Sequence, residues 1–177
     1  MKKTIRLKIA EEAPRQATVA PTVENYDESL DHRKKSAEGT INIISFFLGA
    51  DEYAFEVSEA VEVLRPRQAT EVPWTPAYIQ GILSVRGEMV PVLDLKMRLG
   101  LGKVNGRPTA RILVVAVEDL KAGLLVDRLS GVKEVPARLL EPPEDSEPQA
   151  AFMKAVIHDG ERVIRLLDAG VLIAVEN

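Results

Sequence analysis

From residue 41 onward the sequence repeats one device. A short run rich in Val, Ile, Leu and Phe is followed by a break of Gly, Pro, Asp or Glu. Runs occupy 41–48, 53–57, 60–64, 79–86, 89–95, 111–117, 123–126, 132–135, 155–157 and 163–167. Each is too short for a helix that buries a face, but suits a strand. Many short strands at close spacing predict small barrels or a sandwich, and an all-β chain. Asp159-Gly160, between the last two runs, is a hairpin signal, because both residue types tolerate positive φ. That places His158 in a solvated turn. Helix is expected only in short pieces. These are 95–99, ended by Gly100; 138–140; and 168–175, capped by Asp168. Residues 141–148 (Glu-Pro-Pro-Glu-Asp-Ser-Glu-Pro) form an acidic surface loop.

Residues 1–39 lack this device. They carry 8 Lys/Arg and 7 Asp/Glu, and no apolar run longer than two residues. Such a segment cannot bury enough apolar area to offset chain entropy, so a disordered N-terminal tail is expected. Ile5, Leu7 and Ile9 alternate and offer a docking strand as the other reading. Residues 40–177 are then one domain, acidic overall.

Composition removes several function classes. There is no cysteine, hence no disulfide, thiolate metal site or cysteine nucleophile. Only two histidines occur, His32 and His158, and neither metal nor cofactor is expected. A net charge of −4 disfavours a binder that relies on phosphate neutralisation. The body's local basic cluster, Arg65-Pro66-Arg67, is too small to change that, and most of its aromatics read as core. No run approaches the roughly 20 apolar residues of a membrane span, and the basic start lacks a signal peptide's apolar centre. A cytoplasmic protein is expected, with no membrane insertion and no nucleic acid partner. Residues 100–106 are glycine-rich but lack the Gly-Lys-Ser/Thr ending of a phosphate loop, and read as a flexible connection. Asp94 and Asp127 both end apolar runs, so a carboxylate-dependent hydrolase is the one catalytic alternative. An Asp at a strand end more often caps a turn or helix.

The centre of the chain is more specific. It reads Val72-Pro73-Trp74-Thr75-Pro76-Ala77-Tyr78-Ile79-Gln80-Gly81-Ile82-Leu83-Ser84-Val85-Arg86-Gly87-Glu88-Met89-Val90-Pro91-Val92-Leu93-Asp94-Leu95. Pro73 and Pro76 stiffen an extended segment. Gly81 inside a strand marks a bulge or a close backbone approach. Alternation places Ser84 and Arg86 opposite the core residues Leu83 and Val85, and Glu62 opposite Val61 and Val63. Glu62 and Arg86 are then able to meet.

This stretch resembles the CheW family, the adaptors of bacterial chemotaxis. Phe46-Phe47-Leu48-Gly49 with Tyr53-Ala54-Phe55, Val61-Glu62-Val63-Leu64, Gly123-Leu124-Leu125-Val126-Asp127 and Ser130-Gly131-Val132 extend the resemblance over about residues 41–175. It implies two intertwined SH3-like five-stranded β-barrels with short helices. It also implies an adaptor that binds the regulatory domain of a CheA-type histidine kinase and the cytoplasmic tip of a chemoreceptor, at membrane-associated receptor arrays. By the same resemblance, receptor-facing positions are Ala60, Glu62, Arg86, Arg111 and Val132, and Gln80 faces the kinase. An adaptor of another chemosensory array, such as one for surface motility, is the alternative. Ser84-Val85-Arg86-Gly87 departs from the family's Asn-Leu-Arg-Gly, and Arg111 stands where an aliphatic residue is common.

Overall fold

The computed structural model describes residues 39–174. The expected tail, residues 1–39, lies outside the described residues apart from Gly39. Eleven strands form two sheets. In chain order they are β1 Thr40–Leu48, β2 Asp51–Glu56, β3 Ala60–Leu64, β4 Ile79–Val85, β5 Glu88–Asp94, β6 Arg111–Val117, β7 Leu120–Val126, β8 Arg128–Pro136, β9 Leu140–Glu141, β10 Met153–Asp159 and β11 Arg162–Leu167. One sheet has the order β8-β1-β2-β11-β10-β9, the other β3-β6-β7-β5-β4. The first therefore has six strands, one more than a five-stranded barrel, because the two-residue β9 pairs with β10.

Both sheets roll toward closure. In the first, the outermost strands β8 and β9 are joined only by the 3-10 turn Ala137–Leu139, so the two edges must lie close together. In the second, the chain just past β3 turns back onto the free edge of β4. Thr70 and Ile82 exchange both backbone hydrogen bonds, at 2.9 and 2.8 Å. Gly81 is what lets this approach occur. Its φ is +131°, and a Cβ there would sit 2.4 Å from the Thr70 carbonyl oxygen. The close approach expected of Gly81 is present.

The chain is interleaved. β1 and β2 join the C-terminal strands, while β3–β7 form the other sheet between them. Apolar packing follows this layout in three layers. Ile43, Ala54, Val135, Ile157, Ile164 and Leu166 fill the first rolled sheet. Leu83, Val85, Val90, Val92, Ile112 and Val114 fill the second. A third cluster is shared between the sheets. It combines Phe46, Tyr53 and Phe55 of one with Leu93, Leu113, Val115 and Leu124 of the other. Phe46 lies 5.4 Å from Phe55 in a stacked arrangement, an aromatic centre for the whole body.

The two helices are single turns with the expected caps. Asp94 caps α1 (Leu95–Arg98) by accepting from the Met97 N–H, and Asp168 caps α2 (Ala169–Ile173) by accepting from the Val171 N–H. The second ends at Ile173, two residues earlier than the periodicity predicts. Arg98 fastens these ends together. Its guanidinium lies 4.8 Å from the Tyr78 ring and 5.1 Å from the Phe152 ring, and donates to the carbonyls of Leu172 and Ala174.

Candidate interaction surface

The Arg86-Gly87 pair forms the two-residue turn between β4 and β5. Both residues have positive φ, 51° and 85°. This is the twist a tight hairpin needs. Glycine adopts it freely, but arginine does so at a cost of roughly 1–2 kcal/mol. Arg86 is thus a turn residue, not the last strand residue the alternation implies. The turn lifts its side chain into solvent, where it stays 80% exposed, while its Nε donates to Glu62 Oε1 at 3.2 Å. Glu62 is far less exposed, at 17%. The anticipated meeting of the two residues is therefore real. As an exposed ion pair it contributes only about 0–1 kcal/mol to folding. What it does is fix the guanidinium over the edge of β3.

That edge corrects one expectation. Val61 and Val63 do lie opposite Glu62, but they face outward. Val61 is 51% exposed and Val63 38%, while Ala60, Glu62 and Leu64 face inward. Ala60 packs on the shared cluster and pairs with Val115. The edge strand therefore shows two valines to water on one face and a held arginine on the other. Met89, cross-strand from Ser84 and also exposed, adds an apolar neighbour to the same hairpin. Sequence reasoning missed Val61, Val63 and Met89, because alternation separates two faces without saying which one is wet. Trp74, outside every apolar run, is fully exposed with φ 64°.

The other candidate residues are dispersed. Val132 stands on β8 of the first sheet, opposite Ile44, and is exposed. Arg111 begins β6. Its Nη1 donates to the carbonyls of Pro108 at 2.9 Å and Ala110 at 2.6 Å, which holds it back against its own loop. Gln80 is half-buried on β4, its Nε2 4.0 Å from Met97 Sδ.

The carboxylates set aside for catalysis are structural. Asp94 is fully buried and accepts from two backbone N–H groups, Met97 at 3.1 Å and Val104 at 2.9 Å. Asp127 accepts from the Gly49 N–H at 2.7 Å and pairs with Lys96 at 3.3 Å. Asp94 thus has both oxygens held by backbone N–H groups, and Asp127 commits its Oδ2 to both of its partners, so these contacts are those of turn and helix capping. The Asp94–Val104 bond also pins the glycine-rich loop, with Val104 buried, so that connection is anchored rather than free. His158 belongs to β10, paired with Val163 and 3.6 Å from Glu141; the hairpin turn itself is Gly160-Glu161. Among the described residues no group of His, Asp and Glu is placed to hold a metal ion, and no helix is long and apolar enough to cross a membrane.

A second ion-pair centre was not legible beforehand. Glu52 on β2 is 6% exposed and receives Lys133 Nζ and Arg162 Nη2, each at 2.8 Å. Burial pushes its carboxyl upward, but hydrogen bonds from Lys133, Ser45 and Arg162 outweigh that and hold it below the ordinary value of 4.5. Lys154 on β10 similarly joins Glu56 and Glu59 at 3.1 and 2.6 Å. Burial disfavours its charged form, yet these two carboxylates keep its pKa raised.

Comparison with known proteins agrees with this geometry. A family model described as CheW-like domain matches residues 42–177. The probable chemotaxis protein CheW of Rhizobium etli is 32% identical over 139 residues, covering 76% of this chain and 88% of that protein. Protein FrzA of Myxococcus xanthus is 33% identical over 111 residues, covering 61% and 69%. Among solved structures, the scaffolding protein TtCheW from Thermoanaerobacter tengcongensis superposes with a TM-score of 0.72 at 30% identity, covering 77% of this chain and 90% of that one. Interleaved rolled sheets, the Ile79–Asp94 hairpin with Arg86 at its turn, and a match spanning nearly all described residues converge: the chain belongs to the CheW-like domain family.

Proposed function

We propose that this protein is a non-catalytic adaptor. It holds a CheA-type histidine kinase, through the kinase's regulatory domain, beside the cytoplasmic tip of a chemoreceptor at a receptor array. The observation that carries this reading is the β3 edge. Val61 and Val63 face solvent on one side of this strand, and Glu62 on its other side holds Arg86, which stands in a strained turn. Backbone strain and exposed apolar area both cost stability, and both are common where a partner docks. A helical hairpin laid along such an edge buries apolar area, while the arginine fixes its register.

The receptor-facing set is Ala60, Glu62, Arg86, Arg111 and Val132, and Gln80 belongs to the kinase-facing surface. Binding on two surfaces at once makes the second contact effectively intramolecular, so two modest affinities give a stable assembly. The carboxylates of Asp94 and Asp127 are engaged by backbone and lysine, which supports a role without chemistry. Identity to FrzA, 33% over 111 residues, is close to the 32% over 139 residues for the Rhizobium etli protein, so identity does not choose between a chemotaxis array and another chemosensory array. Gene neighbourhood decides that point.

A pull-down with purified kinase regulatory domain and with a receptor-tip fragment tests the proposal. Retention of both by the full chain is the expected result. Failure of both at high micromolar concentration removes it. Arg86→Glu is expected to abolish receptor retention and leave kinase retention intact.

A further inference from the structure

The fold gathers cations that the sequence disperses. A cavity of about 600 Å³ is lined by Arg65, Arg107 and Arg111 around Pro66, Val104, Ala110 and Leu125, with no acidic residue in its wall. A second, of about 610 Å³, adjoins it at Arg107 and Pro108, and brings Lys96 and Arg128 against the 105–109 loop. The only carboxylate there is Asp127, already paired with Lys96. Five cations thus line two neighbouring hollows of a chain whose net charge is −4. The sequence showed only Arg65-Pro66-Arg67. β3 runs antiparallel to β6, with Leu64 opposite Ile112, and this pairing carries Arg65 alongside Arg111.

Like charges are not brought together without a counter-charge, because mutual repulsion opposes it. Arg111 donates only to carbonyls, which leave its charge unneutralised. We infer that these adjoining hollows bind a carboxylate-rich peptide segment of a partner protein. The chemistry favours that occupant. Guanidinium groups match carboxylates in paired hydrogen bonds, and the Pro, Val, Ala and Leu floor accepts apolar side chains between the acids. Two hollows that share Arg107 and Pro108 offer more length than one compact solute fills, which suits a peptide segment. A nucleic acid would need aromatic faces for its bases. Phe47 is the one aromatic in the two linings, and Arg128 already covers it at 4.0 Å. The inference does not rest on the adaptor proposal. Arg111 enters both, but Arg65 and Arg107 enter this one alone.

The test titrates the full chain into a short labelled peptide of alternating Glu and Leu, read by fluorescence anisotropy. Saturable binding is expected, weaker as salt rises because surface charges are screened. A peptide of Gln and Leu is expected not to bind. The double variant Arg65→Ala, Arg107→Ala should weaken binding by about tenfold or more. Arg107→Glu, on the exposed loop, should do the same with no contact to the core. Arg86→Glu should leave peptide binding unchanged, which separates this site from the receptor edge. Equal binding of the Gln peptide, or indifference to both arginine variants, would overturn the inference. So would tighter capture of inorganic phosphate or of a single-stranded oligonucleotide in competition with the peptide.

Discussion

Glu62 and Glu52 both sit on strands and both hold cations, yet they do different work. Glu62 holds one arginine that is 80% exposed; Glu52, 6% exposed, holds Lys133 and Arg162. At the first site water screens the pair, so its energy is small and its use is to aim a guanidinium outward. At the second the carboxylate is withdrawn from water and its partners arrive from β8 and β11 on either side of β1 and β2. Removing that charge leaves two cations without their buried acceptor. The same residue chemistry thus holds a solvent-facing guanidinium in one place and ties strands together in the other. Depth beneath the surface decides which.

Variants sharpen the contrast. The largest effect is expected not at either ion pair but at Gly81, where β4 meets Thr70. Gly81→Ala forces a Cβ against the Thr70 carbonyl at a φ that L-residues avoid, and should cost about 3 kcal/mol, read by denaturant unfolding. The contact edge would then rest on a closure that does not tolerate change, although the edge itself does. Glu52→Gln should cost about 2 kcal/mol, a value reduced because Arg162 is half-exposed and regains water. A loss under about 0.5 kcal/mol would erase the contrast. Acid provides a smaller, graded version. The Glu52 carboxyl is held below 4.5 in the folded state, so its stabilisation is complete above that pH. It declines as pH falls through the lowered folded value. Wild type should therefore lose stability in this range faster than Glu52→Gln, measured as melting temperature against pH. Smallest of all, Arg86→Glu should change stability by less than about 0.5 kcal/mol while removing receptor binding. A large drop in melting temperature would make Arg86 a structural residue.

Much of the strand layout was legible. β3 and β6 match their apolar runs residue for residue; charged residues flank β3 on both sides, and Glu118 follows β6. The caps at Asp94 and Asp168 were legible for the same local reason. β7 and β8 begin earlier than their apolar runs, at Leu120 and Arg128, because ladder hydrogen bonds extend strands through polar residues. What stayed hidden depends on pairs far apart in sequence. Glu52 meets Lys133 and Arg162 across 81 and 110 positions. The outward turn of Val61 and Val63 depends on where β3 ends up in its sheet, at an edge. Arg111 was flagged from the family resemblance alone; its hydrogen bonds to Pro108 and Ala110 follow from a loop whose path Asp94 fixes.

The central claim is that one small body is held by two partners together. Co-sedimentation of the kinase regulatory domain with a clustered receptor fragment tests it directly. With wild-type chain present, the kinase domain should pellet with the receptor; with Arg86→Glu in its place, it should stay in the supernatant, still bound to the chain. If the two partners displace each other from the wild-type chain, the account is wrong.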